Sequence, residues 1–408
     1  MSDDRSDGEF RAGGGSPVWR WLAIGCLCLL AVAASNWPER HQPFYWDAAG
    51  YVLPHAREIH DNNLLPIVRQ WDVGHPTAFY FLLAGLFKLF GVGPLAGHLL
   101  NWVFAALGLT AVYGLGRVLR LPHLLAGATV LVVWTFPLYF ASSRQVMGDL
   151  ALAACCLAAL WAWATKRRWW YVLFASLAVL TKFHGFVLIP VTCLATVLSG
   201  VFSGVFSGVL ATPTQRSGRP WREIGRELTW VAAPLLPACL FLLVRYLVRG
   251  PGWTIGWEPR QQFIPIWRWH DFTGNWSRAT ENFWEVSRLE TVLWVTPLLL
   301  AVAVTVRWFR LRRCGDPPLF TIRQCRMLVG LLVFLLVYNV AMLQLSALMA
   351  RFALPLVGVL FPLLVWAAWS LLPRWAPILL LLLLLVVGQI GFWYPDNLRV
   401  LPEPLTAL

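Results

Sequence analysis

The sequence predicts an all-α fold, a polytopic transmembrane helical bundle of about eleven spans with a long first outer loop that carries interfacial helices. Three observations lead there. The 408 residues are 58% hydrophobic and only 13% charged, with a mean hydropathy of +0.62, too apolar for a soluble domain of this length. Apolar stretches near the length of a membrane span recur along the chain. Tryptophan occurs 25 times, often close to the ends of those stretches, where such rings anchor at the headgroup level. The formal net charge of +13 arises from Lys and Arg in small groups between apolar stretches. It speaks for orientation in a bilayer and against nucleic acid as a partner.

Residues 1–17, with Gly13-Gly14-Gly15 and several charged side chains, have nothing to pack and read as a disordered cytoplasmic tail. Val18 to Trp37 is the first span. Asp3, Asp4, Asp7 and Glu9 ahead of it argue against a cleaved signal peptide. The loop 38–97 follows, and within it Thr77 to Phe90 is apolar but shorter than the roughly 20 residues a span needs. If that piece crossed, Arg117, Arg120 and the cluster Lys166-Arg167-Arg168 would fall outside the cell; if it lies in the interface, they fall inside, as the positive-inside rule prefers. The later spans are then expected at 98–116, 122–140, 149–165, 169–182, 184–199, 229–248, 291–306, 327–345, 353–371 and 375–394. Ser199 to Gly208 repeats Ser-Gly-Val-Phe and reads as a flexible, weakly apolar connector. The 8 cysteines show neither a disulfide framework nor metal-ligand spacing.

This orientation gathers Asp47, Arg57, Arg69, His75, Arg144, Asp149, Lys182, His184, Arg351 and the Trp- and Arg-rich loop 249–290 on the outer face. Aromatic rings among cations suit phospholipid headgroups or a lipid-linked anion, and equally a plain interfacial anchor. Asp47 lies in Phe44-Tyr45-Trp46-Asp47-Ala48-Ala49-Gly50-Tyr51, where it is either an ordinary turn residue or a partly desolvated acid suited to proton chemistry. Arg144 and Asp149 flank a turn between two spans, and Lys182 and Arg351 occupy two further turns. Charges at membrane depth are functional candidates. Lys182 and Arg351 alternatively snorkel to the interface, Asp149 alternatively only pairs with Arg144, and His184 and His98 alternatively serve structure. Several cations around one carboxylate make a site able to hold a phosphate leaving group while the carboxylate accepts a proton.

These residues resemble the polytopic GT-C glycosyltransferases, within them the protein O-mannosyltransferase and aminoarabinose-transferase-like group. Asp47 with Tyr51 looks like that group's first-loop Asp-Glu motif, and Gly74-His75-Pro76 resembles its His-Pro-Pro. Ser143-Arg144 through Asp149 is similar to its second-loop Arg and Asp, Leu180-Thr181-Lys182 to its Thr-Lys hairpin, and Arg351-Phe352-Ala353-Leu354-Pro355 to a late Arg-Tyr-x-x-Pro element. Ala48 stands where the group usually has Glu, Thr77 replaces the second Pro, and His98-Leu99-Leu100-Asn101 stands where Arg-Leu-Pro-Ser is common.

The resemblance implies one transmembrane domain over 18–408, with a catalytic module at 18–200 and more variable spans at 201–408. It implies an integral membrane protein, multi-pass in a bacterial inner or plasma membrane, that moves a hexosyl or pentosyl group from a polyprenyl-phosphate sugar to a lipid, glycan or protein acceptor on the non-cytoplasmic face. Asp47 would be the general base, and His75, Arg144, Asp149, Lys182, Arg351 and Tyr51 would bind substrate. Displacement would be inverting, no protein cofactor is implied beyond the lipid-linked donor, and a divalent metal stays open. The rival readings are a transporter or flippase for a lipid-linked sugar, which would suit many spans and midplane charges, and a non-catalytic assembly factor, which the Ala48 and Thr77 departures keep alive. Against the first, no inverted repeat is visible.

Overall fold

The computed structural model describes residues 18–44, 48–65, 76–210, 220–249, 322–343 and 354–393. Among them the regular structure is helical throughout. The α-helices are α1 (Val18–Asn36), α2 (Leu53–Asp61), α3 (Ala78–Phe90), α4 (Pro94–Val118), α5 (His123–Thr135), α6 (Pro137–Arg144), α7 (Gly148–Ala164), α8 (Arg168–Thr181), α9 (Leu188–Leu210), α10 (Pro220–Ala232), α11 (Leu235–Arg249), α12 (Ile322–Leu343), α13 (Leu354–Leu371) and α14 (Ala376–Trp393). Among the described residues 4 helical stretches are long and apolar enough to cross a bilayer alone, or 5 if the bent pair α5–α6 is one span. The chain is an integral membrane protein. The expected span 291–306 and, beyond Arg249, the loop 249–290 lie outside the described residues.

The bundle is built around α7, whose residues from Gly148 to Leu160 are all buried. Its Ala-rich sequence lets α4, α8 and α13 approach closely, which is how helices associate where lipid removes the hydrophobic drive. Bulky side chains fill the gaps that glycines leave. A Cβ on Gly114 would lie 2.5 Å from the Trp161 ring. Gly358 and Gly330 likewise make room for Leu157 and Trp163 of α7. Tyr139 fills the space beside Gly108 and donates a hydrogen bond to the Ala105 carbonyl at 2.8 Å. Any larger residue at Gly114, Gly330 or Gly358 has to displace a packed ring or branched chain.

Two expectations are corrected. The stretch 122–140 is not one straight span: α5 and α6 meet at 64°. Pro137 opens α6, and the residue ahead of a proline is pushed out of the helical region, so Phe136 takes φ −65° and ψ 128°. The repeat at 199–208 is not a loose connector, since α9 runs on through it to Leu210. Gly and Ser weaken a helix in water but are tolerated in membrane helices, which must satisfy their backbone internally.

Between α1 and α4 lie two short α-helices, α2 and α3, whose Ile59, Phe79, Leu83 and Phe87 join the main apolar core. Helix α2 packs on α3, with His55 and Tyr80 ring centroids 4.8 Å apart, and α3 reaches α4 through Phe79 and Phe104 at 6.1 Å. Helix α3 has 13 residues, about 20 Å of helix, less than the roughly 30 Å hydrocarbon core. We expect the α3–α4 loop outside the cell and the α7–α8 turn inside. In a cysteine-free background, Val92→Cys should react with an impermeant maleimide on intact cells, and Lys166→Cys should react only after lysis. The opposite pattern would invert the topology.

Candidate active site

Two ion pairs sit near the start of α7, one with a buried carboxylate and one partly buried. The first follows from the α7–α8 hairpin: antiparallel helices of similar length bring the end of α8 beside the beginning of α7. Asp149 lies in the first turn of α7, where the positive end of the helix dipole favours a carboxylate. Lys182 caps the C-terminus of α8 in extended conformation and donates its backbone N–H to Ala178 at 3.2 Å. Its Nζ meets Asp149 Oδ1 at 2.7 Å, with side chains only 13% and 5% exposed. A Cβ on Gly148 would be 3.8 Å from Lys182 Cε and 4.0 Å from Phe79 Cγ. The lysine stem therefore crosses Gly148, and the first turn of α3 reaches the same spot. Gly185 turns tightly against α8, where a Cβ would fall on the Ala178 backbone, and this tucks the buried His184 within electrostatic reach of Lys182 and Asp149. Tyr338 of α12 is buried within reach of Asp149 as well.

The second pair clamps Arg144. Its Nη1 meets Glu39 Oε1 at 2.8 Å, its Nε donates to Asn36 Oδ1 at 3.3 Å, and its guanidinium lies 4.0 Å from the Phe140 ring centroid. Asn36 Nδ2 donates to Ser143 Oγ at 3.0 Å. Asn101 of α4 donates to the carbonyls of Ser142 and Ser143, both at 2.9 Å. The last turn of α6 is thus tied to α1 and α4 by groups that would be costly to leave unpaired at this depth. Asp149 pairs with Lys182, and the alternative pairing with Arg144 is set aside because Glu39 takes the arginine.

The loop toward Asp47 is drawn to this region. His98 Nε2 donates to the Gln42 carbonyl at 3.2 Å. Phe44 lies over Gly97, where a Cβ would come within 2.6 Å of its ring and 3.0 Å of Val146. Phe44 and Val146 therefore share one spot on α4, and Val146 belongs to the turn joining Arg144 to Asp149. Asp47 itself lies outside the described residues, three positions after Phe44 and so within about 10 Å of it along the chain.

His75 and Arg351 also lie outside the described residues. Pro76, next to His75, is buried just ahead of α3, and Leu354, close after Arg351, is buried at the start of α13. Tyr51 is 48% exposed in the π-helical turn Ala48–Val52, and no described contact joins its ring to either ion pair. Among the described residues no three His, Cys, Asp or Glu side chains converge as metal ligands would. Sequence reasoning missed Glu39, Asn36, Asn101 and Tyr338. Their signal was polarity at or inside the edge of an apolar stretch, which is costly enough in a bilayer to need a partner.

The fold has a solved counterpart. The crystal structure of ArnT from Cupriavidus metallidurans bound to undecaprenyl phosphate aligns with a TM-score of 0.57 and 16% identity, covering 95% of this chain and 66% of that one. This is the GT-C fold. The chain spans just under two thirds of that ArnT. The same protein in the apo state aligns with a TM-score of 0.44 and 17% identity, covering 94% of this chain and 74% of that one. Residues 74–206 match the family described as dolichyl-phosphate-mannose-protein mannosyltransferase, a GT-C glycosyltransferase family. The matched stretch contains Arg144, Asp149 and Lys182. No curated protein matches the chain significantly in sequence.

Proposed function

We propose that the chain is a GT-C glycosyltransferase that moves a sugar from a polyprenyl-phosphate carrier to a hydroxyl of a lipid, glycan or protein acceptor on the outer face of the membrane. The observation that carries this reading is that two ion pairs largely shielded from solvent, Arg144–Glu39 and Lys182–Asp149, stand at the two ends of the short turn 145–147 that joins α6 to α7. The turn between them carries Val146, which meets Phe44 over Gly97 of α4 on the way to Asp47. The matched mannosyltransferase family and the undecaprenyl phosphate bound by ArnT support the choice of carrier.

Glu39 and Asn36 occupy Nη1 and Nε of Arg144, and among the described residues nothing takes its Nη2, which can donate to a phosphate oxygen. Lys182 adds a second cation held at a fixed point by Asp149. In the reaction the acceptor oxygen attacks the anomeric carbon and gives up its proton to Asp47. The bond from that carbon to the phosphate oxygen breaks, its electron pair leaves with the phosphate, and the cations balance the added charge. A single attack from the far side inverts the anomeric centre.

Arg144→Ala and Lys182→Ala should each weaken binding of a polyprenyl-phosphate sugar about tenfold or more, the scale of one charge-assisted hydrogen bond. Glu39→Gln should weaken it less, because it loosens the guanidinium without removing it. Unchanged donor affinity in both alanine variants, measured on the solubilised chain, would defeat the proposal.

A further inference from the structure

The far end of α7 carries a cluster that this chemistry does not use. It lies roughly 25 Å from Asp149 along the helix, where the α7–α8 turn meets α10. Arg168 opens α8 and meets Glu227 of α10 at 2.7 Å, while its guanidinium lies 5.8 Å from the Trp230 ring centroid. Trp169 packs edge-on against Trp230 at 4.7 Å. Helix α10 thereby divides into three faces. Ile224 and Val231 are buried, with Ile224 filling the space beside Gly200 of α9. Glu227 and Trp230 face α8. Arg222 and Arg226, one turn apart, are exposed.

Charge is left over once Arg168 and Glu227 are paired. Glu227 answers Arg168, and among the described residues no carboxylate pairs with Lys166, Arg167, Arg222 or Arg226. Lys166 stands at φ 58°, a left-handed position closing α7 that glycine takes with less strain. Beside these cations Trp169 is 74% and Trp170 52% exposed, the amphipathic rings that mark headgroup level at the end of apolar helices.

We propose that the α7–α8 turn and the outer face of α10 form a binding site for one anionic phospholipid, with its phosphate among Lys166, Arg167, Arg222 and Arg226 and its upper acyl chains along Trp169 and Trp170. Lys166, Arg167, Arg168, Arg222 and Arg226 outnumber the two α10 carboxylates, Glu223 and Glu227, and this cationic excess selects a phosphodiester with net negative charge over a zwitterion. The exposed tryptophans select a lipid over a soluble phosphate.

Native mass spectrometry of the solubilised full chain with equimolar phosphatidylglycerol and phosphatidylcholine tests this. One phosphatidylglycerol should be retained in clear preference, and raising salt from about 0.05 to 0.5 M should erode that preference as screening shortens. Each cation removed should weaken retention about fivefold, so Arg222→Gln/Arg226→Gln should lose most of it. Equal retention of both lipids by the native chain, or a preference indifferent to salt, would overturn the proposal without any variant. Displacement of the lipid by an equal concentration of inorganic phosphate would show that the cations read phosphate alone and would overturn the lipid assignment. Because the cluster is remote from Asp149, failure here leaves the transfer reaction untouched.

Discussion

Asp47→Asn should lower sugar transfer by about 10²–10⁴-fold, the usual contribution of a general base, while the protein stays folded and still binds its lipid-linked donor. A hydroxyl is a poor nucleophile at neutral pH, and an amide of the same size cannot take its proton. The loop that carries Asp47 is held at Gln42 by His98 and at Phe44 by the cleft over Gly97, so neutralising one side chain beyond those anchors should not release it. The test is turnover of the folded variant beside donor binding on the same preparation. A folded Asp47→Asn that turns over near the native rate would remove Asp47 from the mechanism and bring Asp149 forward.

The second large effect belongs to Lys182 and Asp149. Side chains 13% and 5% exposed make a buried pair, and deleting one member of such a pair costs about 3–5 kcal/mol because the other charge stays behind. Lys182→Met and Asp149→Leu should each lower the unfolding midpoint sharply. The double variant should recover much of the loss, since two apolar groups of similar volume can replace a buried ion pair. If Lys182 also holds the carrier's phosphate, the double variant should fold yet bind donor poorly. Recovery of donor affinity along with stability would make the pair purely structural.

Much of the fold was legible because a bilayer imposes length and polarity on each crossing element. The expected boundaries at 149–165 and 169–182 lie within a residue of α7 and α8, set by the charges at Arg168, Asp149 and Lys182 and the apolar runs between them. What the pattern hid was local. Pro137 was visible, but an apolar run continues across it, and hydropathy cannot tell a straight span from one bent by 64°. The Ser-Gly-Val-Phe repeat was read by its behaviour in water.

At the site, Arg144, Asp149 and Lys182 were legible as charges at membrane depth, but their partners were not. Glu39 follows Trp37-Pro38 and looked like the start of a loop, whereas a short 3-10 turn, Trp37–Glu39, keeps it against the end of α6. The pairing of Asp149 with Lys182 was derivable from the hairpin geometry, yet Arg144 stands nearer in sequence and drew the weight. Asn101, read only as a departure from a family pattern, holds the turn before Arg144, and His98, for which a structural role was the alternative, holds the loop before Phe44.

The most direct test of sugar transfer is to incubate the purified chain with a panel of polyprenyl-phosphate sugars and an extract of envelope acceptors, and to measure free polyprenyl phosphate. The account predicts that one donor is consumed, with carrier released in step with sugar appearing on an acceptor, and that Asp47→Asn abolishes both. Binding of the panel, or movement of donors across the bilayer of reconstituted vesicles, with every carrier still bearing its sugar would contradict it and favour a transporter.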